Sequence, residues 1–413
     1  MSGNGQIGEA LKASLLASEP IHRRLFTMSD TEGDHDDATR TIYLDYNATT
    51  PVDPAVARAI IPYLTQHFGN PSSGHAYGRT AHKGVAAARE CVADLIGSSP
   101  EEIVFTAGGS ESDNLAIQGV AMALKERGNH IVTQQTEHPA VLATCRYLES
   151  YLGFKVTYLA VDRTGLVDPV SLADAITPKT VLVTIMHANN ETGTIQPIAT
   201  LSAIARARGV VFHTDAAQSA GKININAGEL GVDLLTLAGH KVYAPKGIGA
   251  LYVRTGTRLH PVIHGASQER GRRAGTENVP YMVGLGVACQ LAKQRLTSDV
   301  PGIRSRRDRL QQRLEAHGWL LNGHPEQRLP NTLNISRTGM DGEEILAHTP
   351  DIAASTGAAC HAGRTDPSAV LLSMGVPREQ ALGAIRLSLG RWTSDSEVDR
   401  AAEALRRAAD ALV

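Results

Sequence analysis

Cysteine is scarce in this 413-residue chain: four in all, Cys91, Cys145, Cys289 and Cys360, with no CxxC pair among them. That spacing excludes a dense disulfide framework or a Cys-rich metal site and leaves each cysteine an individual role. It points to a reducing, cytoplasmic setting. Charge of one sign is lacking too. The formal net charge is -2 and no Lys/Arg block occurs. This argues against nucleic acid as a general partner, although a local patch for tRNA or an acidic carrier stays open. No apolar run approaches a membrane span, so a soluble protein is expected. Internal repeats and the GxxxxGK[ST] phosphate loop are absent.

The first forty residues differ from the rest. They carry a short apolar patch at Leu15-Leu16 and then an acidic run, Asp30-Thr31-Glu32-Gly33-Asp34-His35-Asp36-Asp37. Residues 1–40 are therefore expected to be a disordered tail. The tail has no signal-peptide core, and its acidic residues argue against a transit peptide. Met28, just ahead of the acidic run, is an alternative start.

From Ile103 onward, short apolar runs alternate with amphipathic stretches. Strands are predicted at Ile103–Phe105, Ile131–Thr133, Val156–Val161, Thr180–Met186, Val210–His213, Leu234–Leu237 and Gly249–Val253. Helices are predicted at Glu111–Arg127 and Ala199–Arg208. This is the pattern of an α/β protein with a mostly parallel sheet covered by helices, whose ligands bind beyond the strand C-termini. After about residue 295 the texture changes to a charged helix (Arg304–His317) and a strand (Thr332–Ser336). The expected organisation is a large domain over 55–295 and a smaller α+β domain from 41–54 and 296–413.

Three features carry chemistry. Asp233-Leu234-Leu235-Thr236-Leu237 delivers Lys241 into a turn beside His240, and the run Val210–His213 leads to Asp215. A lysine that can condense with an aldehyde and a carboxylate that can hold a pyridinium nitrogen are what pyridoxal phosphate asks of its protein. Thr106-Ala107-Gly108-Gly109-Ser110-Glu111 joins a strand to a helix and suits an anion. Arg386 sits in an apolar, strand-like stretch, where an unpaired charge is costly. A structural ion pair is one reading of it.

Other ordered motifs are Tyr43-Leu44-Asp45-Tyr46-Asn47-Ala48-Thr49-Thr50-Pro51, Phe68-Gly69-Asn70-Pro71-Ser72-Ser73, Thr136-Glu137-His138, His187-Ala188-Asn189-Asn190-Glu191-Thr192-Gly193 and Arg386-Leu387-Ser388-Leu389-Gly390-Arg391. With these, the chain from about residue 41 resembles the fold type I, class V pyridoxal-phosphate enzymes of the cysteine desulfurase and selenocysteine lyase family. The resemblance implies pyridoxal 5'-phosphate as cofactor, with its phosphate held by Gly109, Ser110 and His240. It also implies Asp215 at the ring nitrogen, Asn190 and Gln218 at the 3-hydroxyl side, and His138 stacked on the ring. Lys241 would carry the cofactor and then move the Cα proton. Thr276 would reach the phosphate of a partner subunit, which makes the expected assembly a homodimer. Arg386, helped by Asn47, would hold the substrate carboxylate.

Cys360 lies in Ser355-Thr356-Gly357-Ala358-Ala359-Cys360-His361-Ala362-Gly363-Arg364, a small, Gly-rich segment that reads as a mobile loop around a reactive thiol. Cys91, Cys145 and Cys289 lie in helix-like or apolar contexts and are expected in the core. The resemblance implies that Cys360 takes sulfur from L-cysteine as a persulfide and passes it to an acceptor protein such as an iron–sulfur scaffold, leaving L-alanine. Two details lean towards selenocysteine lyases: Ala238 where many desulfurases have serine, and the local sequence Gly-Ala-Ala-Cys-His. An aminotransferase or β-lyase is the other alternative, and it would have no need of Cys360.

Overall fold

The computed structural model describes residues 41–356 and 366–412. The expected tail and the segment carrying Cys360 lie outside the described residues. Twelve strands occur among those described: β1 Ile42–Tyr43, β2 Ile103–Thr106, β3 His130–Gln134, β4 Lys155–Leu159, β5 Thr180–Thr184, β6 Val211–Asp215, β7 Leu234–Ala238, β8 Gly249–Val253, β9 Leu320–Asn322, β10 Thr332–Ser336, β11 Ile352–Ala353 and β12 Ala384–Ser388.

β2 to β8 form one seven-stranded sheet in the order β2-β8-β7-β6-β5-β3-β4. Only β8 runs against its neighbours; the pairs from β7 to β4 are parallel. Because β2 and β7 both pair antiparallel with β8, they run the same way. The C-terminal ends of β2, β3, β5, β6 and β7 therefore open onto one side of the sheet. Successive side chains alternate faces, as the pleat requires. Ile103 and Phe105 of β2 and Ala250 and Tyr252 of β8 join one core cluster, whereas Val104, Leu251 and Val253 join another. The helices Ala76–Ile96 and Val279–Arg295 pack into the first cluster. Gly109–Ala123 and Pro139–Leu152 pack into the second. With both faces covered, strands β2, β3, β5, β7 and β8 are buried at every position.

A third cluster gathers residues distant in sequence. It joins Ile42 and Leu44 to Leu310 and Leu314 of the helix Asp299–Glu315, Leu333 and Ile335 of β10, Ile385 and Leu387 of β12, and Leu405 of the helix Asp395–Ala411. β12, β10 and β9 make an antiparallel sheet here, and β1 pairs in parallel with β11. Among the described residues no helix is long and apolar enough to cross a membrane. Cys145 and Cys289 are buried as expected, but Cys91 is only partly so. It flanks the buried stripe of its helix, which runs through Ala81, Val85, Ala88 and Val92.

Candidate active site

The strand ends converge on a cavity of about 800 Å³. Asn47, Gly109, Ser110, His138 and Asn190 line it, as do Asp215, Gln218, His240, Lys241 and Arg386. Every singled-out residue among those described is therefore in this one cavity except Thr276, and Cys360 lies outside the described residues. Thr276 is exposed and lines no part of it.

Lys241 ends a short 3-10 turn, Gly239–Lys241, directly after β7. The turn needs glycine at 239, because a Cβ there would meet the Ile248 side chain at 2.7 Å and its carbonyl oxygen at 2.8 Å. Two residues on, Tyr243 has φ +66°, a left-handed conformation that is strained for an aromatic residue. Surrounding bonds enforce it: Tyr243 N donates to Thr50 Oγ1 at 3.0 Å, Asp53 N donates to Tyr243 O at 3.0 Å, and the Arg391 guanidinium covers the ring at 4.2 Å. The Lys241 amine is thus aimed from a rigid turn. It donates to the carbonyls of Asn47 at 2.5 Å and Ala48 at 2.8 Å. Burial and the nearby Arg386 charge lower its pKa to about 8, against the pull of Asp215 and Asp45.

Asp215 is the last residue of β6. Its Oδ1 accepts from Ala217 N at 2.8 Å, which fixes the carboxylate towards the cavity. Burial raises its pKa, while the Ala217 amide, His138 and Lys241 favour the anion. His138 caps the helix Pro139–Leu152, and its Nδ1 accepts from Ala140 N at 3.1 Å. The ring proton is therefore on Nε2 when the imidazole is neutral. Burial, opposed by Asp215, lowers its pKa. Burial also lowers His240 to about 4, so it is an uncharged hydrogen-bonding group at neutral pH.

The helix after β2 begins at Gly109, two residues earlier than predicted, so Gly109 and Ser110 lie in its first turn. Gly108 provides no side-chain cap, and the first amides of a helix have no partner within it. They are available to an anion at the positive end of the dipole. Ala238 lines the cavity beside Gly109, so that wall has a methyl group in place of a hydroxyl.

Arg386 forms the structural ion pair. Its Nη2 pairs with Asp45 Oδ1 at 2.7 Å and its Nη1 donates to Asn190 O at 3.2 Å. Its buried Nε finds no hydrogen-bond partner among the described residues. Asn47 is more committed than expected. Its Nδ2 donates to Asn190 O and Thr332 Oγ1, while its Oδ1 accepts from Lys222 and Asn331. The amide braces the cavity wall with all of its hydrogen bonds in use.

Three ionisable residues escaped the sequence reading. Asp113 is buried on the cavity wall with Oδ1 unpartnered, and burial followed by the Asp215 charge pushes its carboxyl well up. Glu137, raised to about 8 by burial, accepts from Met186 N at 2.6 Å. Lys222 lies among Asn47, Gln218 and Lys241. None of the three had a usable signal: Lys222 follows Gln218 by four residues, but through turns and not along a helix face.

The aminotransferase class-V family model matches residues 42–401. The chain belongs to that family. It is 47% identical over 377 residues, 90% of this chain and 95% of the relative, to "Cysteine desulfurase IscS" of Dictyoglomus turgidum. Among solved structures it resembles a "NifS-like protein" with TM-score 0.84 and 37% identity, covering 90% of this chain and 99% of that one. It also resembles "SspA in complex with cysteine", with TM-score 0.77 and 39% identity, covering 86% and 100%. The fold is the fold type I α/β architecture of these class-V enzymes.

Pyridoxal 5'-phosphate is the cofactor of this family, and the cavity fits it. A helix start with free first-turn amides suits the phosphate, the fixed Asp215 carboxylate suits a protonated ring nitrogen, and the Lys241 amine suits the aldehyde.

Proposed function

We propose that this class-V enzyme is a cysteine desulfurase in which Lys241, Asp215, His138 and Arg386 work on L-cysteine and Cys360 receives the sulfur. The observation that carries the reading is one cavity lined by a lysine of lowered pKa, a buried carboxylate and an arginine. The relatives named cysteine desulfurase support it.

When bound, pyridoxal 5'-phosphate engages the substrate amine and supplies a sink for the electron pair released at Cα. Gly109, Ser110 and His240 hold its phosphate, Asp215 its ring nitrogen, Asn190 and Gln218 its 3-oxygen side, and His138 covers the ring. Arg386, which lines the cavity, binds the substrate carboxylate. Lys241, neutral above about pH 8, takes the Cα proton. The Cys360 thiolate attacks the substrate sulfur, forming a new S–S bond as Cβ–S breaks. The electron pair stays on Cβ, which takes a proton, Cα regains the proton that Lys241 removed, and alanine leaves. The persulfide sulfur then passes to an acceptor protein.

The purified holoenzyme given L-cysteine with a thiol reductant is expected to release alanine and sulfide in equal amounts. Sulfide without alanine would overturn the reading in favour of a β-lyase. A selenocysteine lyase is the second reading, favoured by the Ala238 methyl on the cavity wall. The same assay with L-selenocysteine decides it, because a lyase turns over that substrate and leaves L-cysteine largely untouched.

Two structural proposals accompany this reading. Residues 41–54 and 296–413 are the smaller domain, which the core joining Ile42 and Leu44 to Leu310, Leu333 and Leu405 supports. The active species is a homodimer in which Thr276 completes the partner's phosphate site. In its support, the Arg273–Glu111 ion pair at 2.8 Å fixes the adjoining turn while Thr276 stays exposed. Ile61, Leu64, Phe68 and Tyr77 also leave apolar surface uncovered, suited to a second copy. Light scattering at assay concentration is expected to give the mass of two chains, and full activity in a monomer would refute the arrangement.

A further inference from the structure

Lys222 has no carboxylate partner among the described residues, and burial first of all disfavours a positive charge on it. Its residue is half-buried while its amine is enclosed. Nζ donates to Gln218 Oε1 at 2.7 Å and to Asn47 Oδ1 at 3.1 Å. The charged groups around it are Lys241, Arg386 and the weakly basic His240, all of which disfavour a further positive charge. A lysine in such company is costly to keep, and packing does not require it, because a methionine would fill similar space.

What Lys222 provides is direction. An amide side chain offers an oxygen on one arm and two N–H groups on the other, and either arm fits the same space. The Lys222 amine donates to the Gln218 oxygen and so holds that arm of the amide towards itself. On the other arm, Gln218 Nε2 donates to the Asn47 carbonyl at 3.0 Å. One N–H of Gln218 is then left over, and Gln218 lines the cavity.

We infer that Lys222 is a positioning residue: it locks the Gln218 amide so that an N–H, and never the carbonyl oxygen, faces the 3-oxygen of the bound cofactor. The inference rests on the cofactor assignment above. Its consequence is chemical. An N–H aimed at that oxygen favours its anionic, proton-free form, and a carbonyl oxygen would do the reverse. Asn47, tied to the same lysine, keeps the wall against which Gln218 rests.

The test is a pH titration of the visible absorbance of holoenzyme reconstituted with pyridoxal 5'-phosphate. Lys222→Met is expected to raise the midpoint by about one unit or more, the size of one hydrogen bond to a charged group. Lys222→Arg, which keeps the donors, should stay near the wild-type midpoint. In a Gln218→Leu background, Lys222→Met should add no further shift, because its effect passes through Gln218. A Lys222→Met midpoint equal to wild type, or additive shifts in the double variant, would overturn the inference. If Lys222→Met does not fold, Lys222→Gln takes its place with an intermediate shift expected, and no shift counts against it. A wild-type protein that gains no visible absorbance fails at the cofactor assignment instead, a separate and visible outcome.

Discussion

The Lys241→Ala variant is expected to be colourless where the wild-type holoenzyme is yellow, and to lose cysteine turnover by about 10²–10⁴-fold or more. The geometry isolates the effect. The amine contacts only the carbonyls of Asn47 and Ala48, and cavity water can take over both. Folding stability should therefore change by only about 1 kcal/mol. Thermal melting and the visible spectrum measure the two effects separately, and an unchanged visible band in the variant would refute the assignment of Lys241.

The same amine sets a pH dependence. Burial and Arg386 bring its pKa down to about 8 from the usual lysine range. Below that pH the amine is protonated and cannot attack an aldehyde; above it the lone pair is free. Reconstitution of apoprotein with pyridoxal 5'-phosphate should accordingly quicken as pH rises through about 8 and then level off. A rate still climbing tenfold per unit at pH 10 would mean an unperturbed lysine.

Much of this site was legible in the chain. All seven predicted strands between Ile103 and Val253 form, each within two residues of its expected ends, and they build the single large sheet. They were readable because a sheet covered on both faces needs continuous apolar runs. Lys241, Asp215 and Asn190 could be placed at its ligand side because each follows such a run. The charged helix predicted at Arg304–His317 begins earlier, at Asp299, where Pro301 falls within the first turn that tolerates it.

What escaped depends on contacts between distant residues. Asp113 looks like an ordinary polar residue near a helix start. Its carboxyl is driven towards the neutral form because folding buries it and then brings it beside Asp215. Lys222 reads as a surface lysine after a glycine until Asn47, far upstream, is laid against it. β1 and β11 have two residues each and no pattern of their own, and only their pairing across the chain makes them strands. Arg386 posed a choice between ion pair and ligand clamp, and the ion pair with Asp45 depends on a residue far upstream in the chain.

Cys360→Ala separates sulfur transfer from every other reaction this cavity can support. Lys241, Asp215 and Arg386 are untouched in the variant, so it should keep the visible band and still respond spectrally to added L-cysteine. Sulfide release and persulfide formation should fall by at least about a hundredfold, because no other described thiol can substitute. Burial pushes Cys145 up to about 12, raises Cys289 further still, and raises Cys91 with help from Asp94 and Glu90. None of the three is a thiolate at neutral pH, and none lines the cavity. Alanine at position 91, 145 or 289 should therefore leave turnover largely intact. Selenium is the better leaving group, so activity on L-selenocysteine should suffer less than activity on L-cysteine. Wild-type turnover of L-cysteine by Cys360→Ala would end the persulfide reading and leave a β-lyase or transaminase that uses the same lysine, carboxylate and arginine without a thiol.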